Sequence, residues 1–277
     1  MINFYRWFGR GWLTLGYLFL YIPIIVLIVY SFNTSAQDMV WQGFTLQWYK
    51  ALAEDTEIIS GFILSFKVAA FAATCSVVLG TSVAYVLNYY RQFHGRALFK
   101  GMASAPLVMP EVIIGLSLLL LLIGMENAFG FPQRGLATLV FGHTVLGVAY
   151  AAVVVESRLK EISASLSEAA MDLGCKPYQV FGLVTLPNLS QALVSSWLLT
   201  FTLSLDDVVV SSFLTSPGYS TMPIVIFSRA RLGLDPRVNA IAALTILAVT
   251  IVVVLSSLHM ARNERLRQKA ISAAFKN

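Results

Sequence analysis

Charge is what this chain has least of. Asp, Glu, Lys and Arg together make up only 12% of its 277 residues, where a soluble domain carries about 25%. Such a chain cannot cover itself with polar surface in water, which excludes an ordinary soluble domain. Cysteine is scarce as well. Cys75 lies in an apolar run and Cys175 in a polar stretch, which makes neither a disulfide framework nor a metal spacing. Three His and two Cys supply no evident nucleophile–base pair or metal cluster, so the chain reads as no enzyme. The pattern G-x-x-x-x-G-K-[ST] is missing, and no Gly-Lys dipeptide occurs at all. A phosphate-cradling loop is therefore excluded. Internal repeats, low-complexity tracts and dividing linkers are also lacking, so residues 1–277 read as a single membrane domain.

What remains is apolar. Hydrophobic residues make up 57% of the chain, and the mean hydropathy is +0.75. The apolar runs exceed the roughly 18–20 residues a spanning helix needs and do not alternate as barrel strands do. The fold class is therefore an all-α membrane protein. Six transmembrane helices are expected at about 12–32, 62–88, 101–123, 135–155, 193–214 and 238–260. The first run is longer than the 7–15 residues of a signal-peptide core and reads as an uncleaved span.

Basic residues orient these spans. Arg6, Arg10, Arg91, Arg96, Lys100, Arg158, Lys160, Lys176, Arg262, Arg265, Arg267, Lys269 and Lys276 fall on one side. Lys50, Arg134, Arg229, Arg231 and Arg237 fall on the other. The positive-inside rule then puts both termini in the cytoplasm. The net charge of +5 is accounted for by this topology and calls for no nucleic acid. Three Arg after the fifth span sit on the wrong side for the rule, so a re-entrant or cavity-facing segment there is an alternative to a plain loop. In the external loop 33–60, Trp41, Trp48 and Tyr49 suit interfacial anchoring, and Asp38, Glu54, Asp55 and Glu57 a solvated surface.

The cytoplasmic loop 156–192 carries structure of its own. Ser165-Leu-Ser-Glu168 has the form of a capping box, which starts a helix near Leu166. Gly174 suits the position after its end, and Pro177 the first turn of a second helix running to Pro187. Taken singly, these residues are ordinary caps and stops. Their spacing says more. EAAMDLGCKPYQVFGLVTLP, residues 168–187, resembles the EAA loop of permease subunits in binding-protein-dependent ABC importers. Glu168, Ala169, Ala170, Gly174, Leu186 and Pro187 match that pattern, and Val184 stands where Ile is usual.

Membrane-embedded acids are the second signal. Asp206 and Asp207 sit in the fifth apolar run, where each ionised Asp costs roughly 2.5–3.5 kcal/mol on insertion scales. On a continuous helix Thr200, Ser204, Asp207 and Ser211 form one polar stripe, with Asp206 about 100° away. Asp207 is then the better cavity-lining candidate. Glu111 follows Pro106 and Pro110, which kink or break the third span and free the carbonyls of Met102 and Pro106. Carbonyls and carboxylates make a cation-friendly surface. Structural hydrogen bonding between helices, pairing of Glu111 with Lys67, and contact with a partner subunit stand as alternatives. His143 and Trp197 read more readily as packed residues than as cargo contacts.

APLVMPEVIIGLSLLLL (105–121) and WLLTFTLSLDDVVVSSF (197–213), together with the EAA loop, resemble the polyamine branch of these permeases over nearly the whole chain. The resemblance implies the type I importer permease fold in the bacterial inner membrane. It implies a heterodimer with a second homologous permease, two copies of an ATP-binding subunit and a periplasmic polyamine-binding protein. This chain would hold no cofactor, with ATP and Mg2+ used by the ATPase. Coupling would rest on Glu168, Ala169, Ala170, Asp172, Gly174, Lys176 and Pro187. The pathway for putrescine or spermidine would involve Asp207, Glu111, Asp206, Ser204 and Trp197. An opine or other cationic solute, and a proton-coupled secondary carrier, are the competing readings.

Overall fold

Prolines, glycines and side-chain caps set most helix ends in the computed structural model, which describes residues 2–35, 40–90, 92–232 and 236–274. Asp38, Arg91 and Lys276, and the side chains of Arg6, Arg267 and Lys269, lie outside the described residues. In chain order the helices are α1 (Ile2–Tyr30), α2 (Gln47–Glu54), α3 (Thr56–Tyr89), α4 (Arg96–Ser104), α5 (Glu111–Phe129) and α6 (Leu136–Glu161). They continue with α7 (Ala164–Asp172), α8 (Pro177–Val180), α9 (Leu186–Asp206), α10 (Val209–Leu214), α11 (Met222–Leu232) and α12 (Pro236–Ala274). Among the described residues the extended backbone amounts to one isolated bridge between Asn33 and Phe44. The chain is all-α, and α1, α3, α5, α6 and α12 each contain a stretch long and apolar enough to cross a membrane.

Two expected spans have different limits. The run 101–123 does not form one helix. Pro106 and Pro110 lack the N–H groups a continuous helix needs, so α4 tightens into a 3-10 turn at Ala105–Leu107 and α5 starts afresh at Glu111. The Met102 carbonyl, expected to be free, accepts from the Ala105 N–H at that turn. The run 193–214 is also interrupted: α9 ends at Asp206 and α10 begins at Val209. The continuous polar stripe through Asp207 is therefore replaced by a break.

The chain divides into two compact units, residues 1–60 with 225–252 and residues 61–224 with 253–277. In the first, the loop after α1 is built around fully buried Asn33. Its side chain donates to the Val40 carbonyl and accepts from the Gln42 N–H, while its own carbonyl accepts from Trp48 Nε1 at 2.7 Å. Tyr49 Oη bonds Ser31 Oγ at 2.6 Å. Trp48 and Tyr49 thus tie the loop to the end of α1.

In the same unit, Asp55 accepts the Ile58 N–H at the start of α3 and two N–H groups of Arg229 at 2.8 and 3.0 Å. Arg229 also reaches Glu57 at 2.9 Å, and Arg237 reaches Asp55 at 3.0 Å. Hydrogen bonds from Arg229 hold the Asp55 carboxyl below its ordinary range, against the opposing effect of burial. Two of the three Arg that troubled the topology reading, Arg229 and Arg237, therefore have acidic partners, and the third, Arg231, lies over the Phe227 ring at 4.2 Å.

The second unit packs α5, α6 and α10 around Leu118, Leu122, Leu139, Val210 and Leu214, with Val68 of α3. Small residues bring α3 and α6 into close contact, as is common between membrane helices. A Cβ on Gly80 would lie 2.7 Å from Ala151 Cβ and 2.8 Å from the Ala152 backbone nitrogen. At Gly147 a Cβ would collide with the Ser76 hydroxyl.

Candidate functional site: an acid-lined cavity and a two-faced loop helix

Where α9 gives way to α10, the backbone of Asp207 is extended (φ −66°, ψ 122°), and its carboxylate takes over as cap. Oδ1 accepts from the Val210 N–H at 3.1 Å and Oδ2 from the Ser211 N–H at 2.7 Å. These are first-turn donors that a helix start leaves unsatisfied. His143 of α6 closes the arrangement. Its Nε2 lies 3.5 Å from Asp207 Oδ2 and 2.9 Å from Ser211 Oγ, and its Nδ1 lies 2.7 Å from Ser204 Oγ. The His143 and Asp207 side chains are 2% and 7% exposed. Sequence reasoning ranked His143 low. The signal for it was that a buried carboxylate needs a partner, and His143 lies mid-run in an apolar helix.

Glu111, Asp206 and Asp207 come together along one cavity of about 560 Å3. Pro106, Pro110, Tyr150, Thr200 and Ser204 also line it, and no Lys or Arg is among the lining residues. Glu111 and Asp206 are exposed, unlike the packed Asp207 side chain. Lys67 does not reach the lining. Trp197 is elsewhere as well. Its ring stacks on Phe201 at 4.9 Å, and its Nε1 donates to Thr74 Oγ1 at 3.1 Å.

The loop after α6 forms the expected helix, with a corrected start. Ser163 caps α7, accepting from the Ser165 N–H and sharing a 2.7 Å hydrogen bond with the Ser165 hydroxyl. The Ser165–Glu168 capping box does not form, because Ser165 already lies inside the first turn. At the other end Gly174 has φ +90°. Its N–H bonds the Met171 carbonyl, and the Cys175 N–H bonds the Ala170 carbonyl. That pair of bonds is the Schellman termination, which favours glycine. Pro177 opens α8, and the Lys176 N–H bonds Gln179 Oε1 at 2.8 Å.

The second loop helix does not stop at Pro187. A π-helical segment, Phe181–Thr185, leads into α9 without a gap. Pro187 lacks an N–H and would crowd the carbonyl four residues back, and a widened turn relieves both problems. Pro187 thus sits in the first turn of α9. One face of α7, with Ala164, Ser167, Glu168 and Met171, lines a cavity of about 340 Å3 with Tyr85 and Tyr89. On the other side Leu166 and Leu173 are 49% and 88% exposed, and Ala169 and Asp172 are exposed too.

An all-α chain with five apolar spanning helices, an acid-lined cavity and an outward-facing loop helix has the makings of a membrane transport subunit. The profile of the "binding-protein-dependent transport system inner membrane component" family matches residues 76–268. The putrescine transport system permease protein PotI of Escherichia coli K12 is 46% identical over 95% of this chain and 94% of that one. The spermidine/putrescine transport system permease protein PotC of the same strain is 38% identical over 92% and 94%. A crystal structure of a bacterial alginate ABC transporter, in complex with an alginate pentasaccharide-bound periplasmic protein, matches with a TM-score of 0.71. That match has 15% identity and covers 94% of each chain. This chain belongs to the family of inner-membrane components of binding-protein-dependent transport systems. It is a multi-pass inner-membrane permease with the ABC importer permease fold, and ATP hydrolysis in such systems resides on a separate subunit.

Proposed function

We propose that the chain is a polyamine permease, working as the second permease subunit of a putrescine importer that also accepts spermidine. The observation that carries this is the cavity in which Glu111, Asp206 and Asp207 meet without a Lys or Arg. A solute with two or more ammonium groups is the cargo such a lining suits. The sequence likeness to PotI and PotC, whose names give putrescine and spermidine, points the same way. The cavity residues would contribute unequally. Glu111 and Asp206 are open to cargo, whereas the oxygens of Asp207 are engaged by α10 and His143. Ser204 borders the cavity, and Trp197 ties α9 to Thr74 of α3 away from it.

On this reading the chain is one membrane domain with six spans and both termini in the cytoplasm, as the basic residues indicate. The sixth span is α9, whose 21 residues reach roughly 30 Å at 1.5 Å per residue. Asn188, Ser190, Gln191, Ser195 and Ser196 make it less apolar than the other spans, which suits an interior helix. A second homologous permease completes the pathway, a periplasmic protein delivers the cargo, and two ATPase copies hydrolyse Mg2+-ATP. Their closure reaches the spans through the Glu168–Pro187 segment, with Ala169, Ala170, Asp172 and Lys176 at or near the docking face and Gly174 at its turn. The test is uptake of labelled putrescine and spermidine by the reconstituted complex, with and without ATP. Uptake that persists when the ATPase site is disabled would instead mark a proton-coupled carrier.

A further inference from the structure

We infer that His143 is a positioning residue of the pathway: through its Nε2 side it holds Asp207 and Ser211 at the α9–α10 break, and thereby fixes Asp206 at the cavity. The inference rests on the polyamine reading for its cargo, but not for its geometry.

Among the described residues His143 is the side chain from outside α9 and α10 that hydrogen-bonds at the break. Asp207 spans the two backbone N–H groups that open α10, yet it belongs to the residue pair that ends α9. A carboxylate 7% exposed is held only where its remaining hydrogen-bonding capacity is used. His143 reaches it from a different helix, with Nε2 hydrogen-bonded to Ser211 Oγ and 3.5 Å from Asp207 Oδ2. Nε2 faces both Asp207 Oδ2 and Ser211 Oγ, so one ring nitrogen addresses the cap and the helix it caps. Nδ1 meets Ser204, one turn before the break on α9. The imidazole therefore touches both sides of the interruption and sets where each helix stands. Asp206 is the last residue of α9 and precedes the clamped Asp207, so its position on the cavity follows from the clamp. Val210 and Leu214, on the capped helix, pack into the α5–α6 core, which anchors α10 independently.

Two conservative substitutions of His143 separate the two ring nitrogens. A glutamine side chain carries its terminal amide to about the position of Nε2, whereas the shorter asparagine carries its amide only to about that of Nδ1. In the complete complex with its partner subunits, His143→Gln is expected to keep putrescine uptake per ATP hydrolysed within about threefold of wild type. His143→Asn is expected to lose at least tenfold. The same order should appear in the melting temperature of the solubilised complex, with the Gln form above the Asn form. A residue that merely fills space would give the same order by volume alone, so His143→Leu, near His in volume but without hydrogen-bonding groups, separates the two. It should fall with the Asn form, and a Leu form that transports and melts like the Gln form overturns the inference. The inference is overturned if the Asn form transports as well as the Gln form, if His143→Ala matches wild type, or if the Gln form fails to assemble. A wild-type complex that hydrolyses ATP but moves no putrescine overturns the polyamine reading instead. The melting order then still decides the role of His143.

Discussion

Arg229 closes two hydrogen bonds on Asp55, at 2.8 and 3.0 Å, across a sequence separation of 174 residues. Their side chains are 16% and 9% exposed, so the pair is held largely out of solvent. Asp55 also caps the start of α3, which makes one carboxylate answer for the loop, the helix start and two arginines. Removing one member of a largely buried pair strands the other, at a cost on the order of 3 kcal/mol. Arg229→Met and Asp55→Asn are both expected to lower the melting temperature of the assembled complex. If either matches wild type, the pair is not structural.

The same pair dictates a direction with pH. The folded-state pKa of Asp55 is depressed, chiefly by its hydrogen bonds from Arg229. Its stabilisation is therefore complete above the ordinary carboxylate value, about 4, and disappears as pH falls through the lower folded value. Thermal melts from pH 7 down to pH 3 should show wild type losing stability at the acid end. Asp55→Asn begins lower and should lose less over that interval. Parallel curves would mean that Asp55 is not the titrating group.

The adjacent acids of the α9–α10 break should respond differently to substitution. Asp207 acts as a cap, and asparagine is a comparable N-cap residue of the same length that still reaches His143, so Asp207→Asn should retain most putrescine uptake. Asp206 offers an open carboxylate to the cavity, so Asp206→Asn should reduce uptake at least tenfold, and Asp206→Glu should restore much of it. Initial rates of labelled putrescine uptake, normalised to assembled complex, are the measurement. Equal losses from Asp207→Asn and Asp206→Asn in well-assembled complexes would place both carboxylates against the cargo.

These two acids also mark how far the sequence could be read. The third span's interruption was legible because Pro106 and Pro110 forbid a continuous helix by their covalent structure. The interruption after Asp206 was not. A helical wheel presumes an unbroken helix, and a carboxylate that captures backbone N–H groups from its own chain is a local competitor to that presumption. The all-α class and five of the apolar spans followed from composition and run length. The Asp55–Arg229 pair did not, because nothing local announces a partner so distant in sequence. In the loop, the glycine stop at Gly174 was legible from its conformational freedom. The N-cap was placed two residues late, because Ser163 and Ser165 are both good caps and sequence alone does not rank them.

Gly80 gives a packing prediction. The missing Cβ lets α3 approach the backbone of α6 near Ala151 and Ala152, and overpacking such a contact costs roughly 1–3 kcal/mol. Gly80→Val should therefore lower the melting temperature of the complex, and Gly80→Ala should be intermediate. A valine form that melts like wild type would show that the two helices can part without cost.

The proposed coupling role of the loop can be tested at Gly174. Its φ of +90° is one that residues with a Cβ adopt at a cost of roughly 1–2 kcal/mol. The Schellman bonds it completes aim the chain from α7 into α8, and from there through the π segment into α9. Gly174→Ala leaves the spans and the acid-lined cavity untouched, so overall melting should fall only slightly. The strain falls instead on the turn between α7, the proposed docking helix, and the segment leading into α9, which carries Asp206. Transport should therefore drop more than stability does, with less putrescine moved per ATP hydrolysed. Asn tolerates the left-handed region better than Ala, so Gly174→Asn should recover part of the coupling. An alanine variant with wild-type stoichiometry would show that this turn transmits nothing.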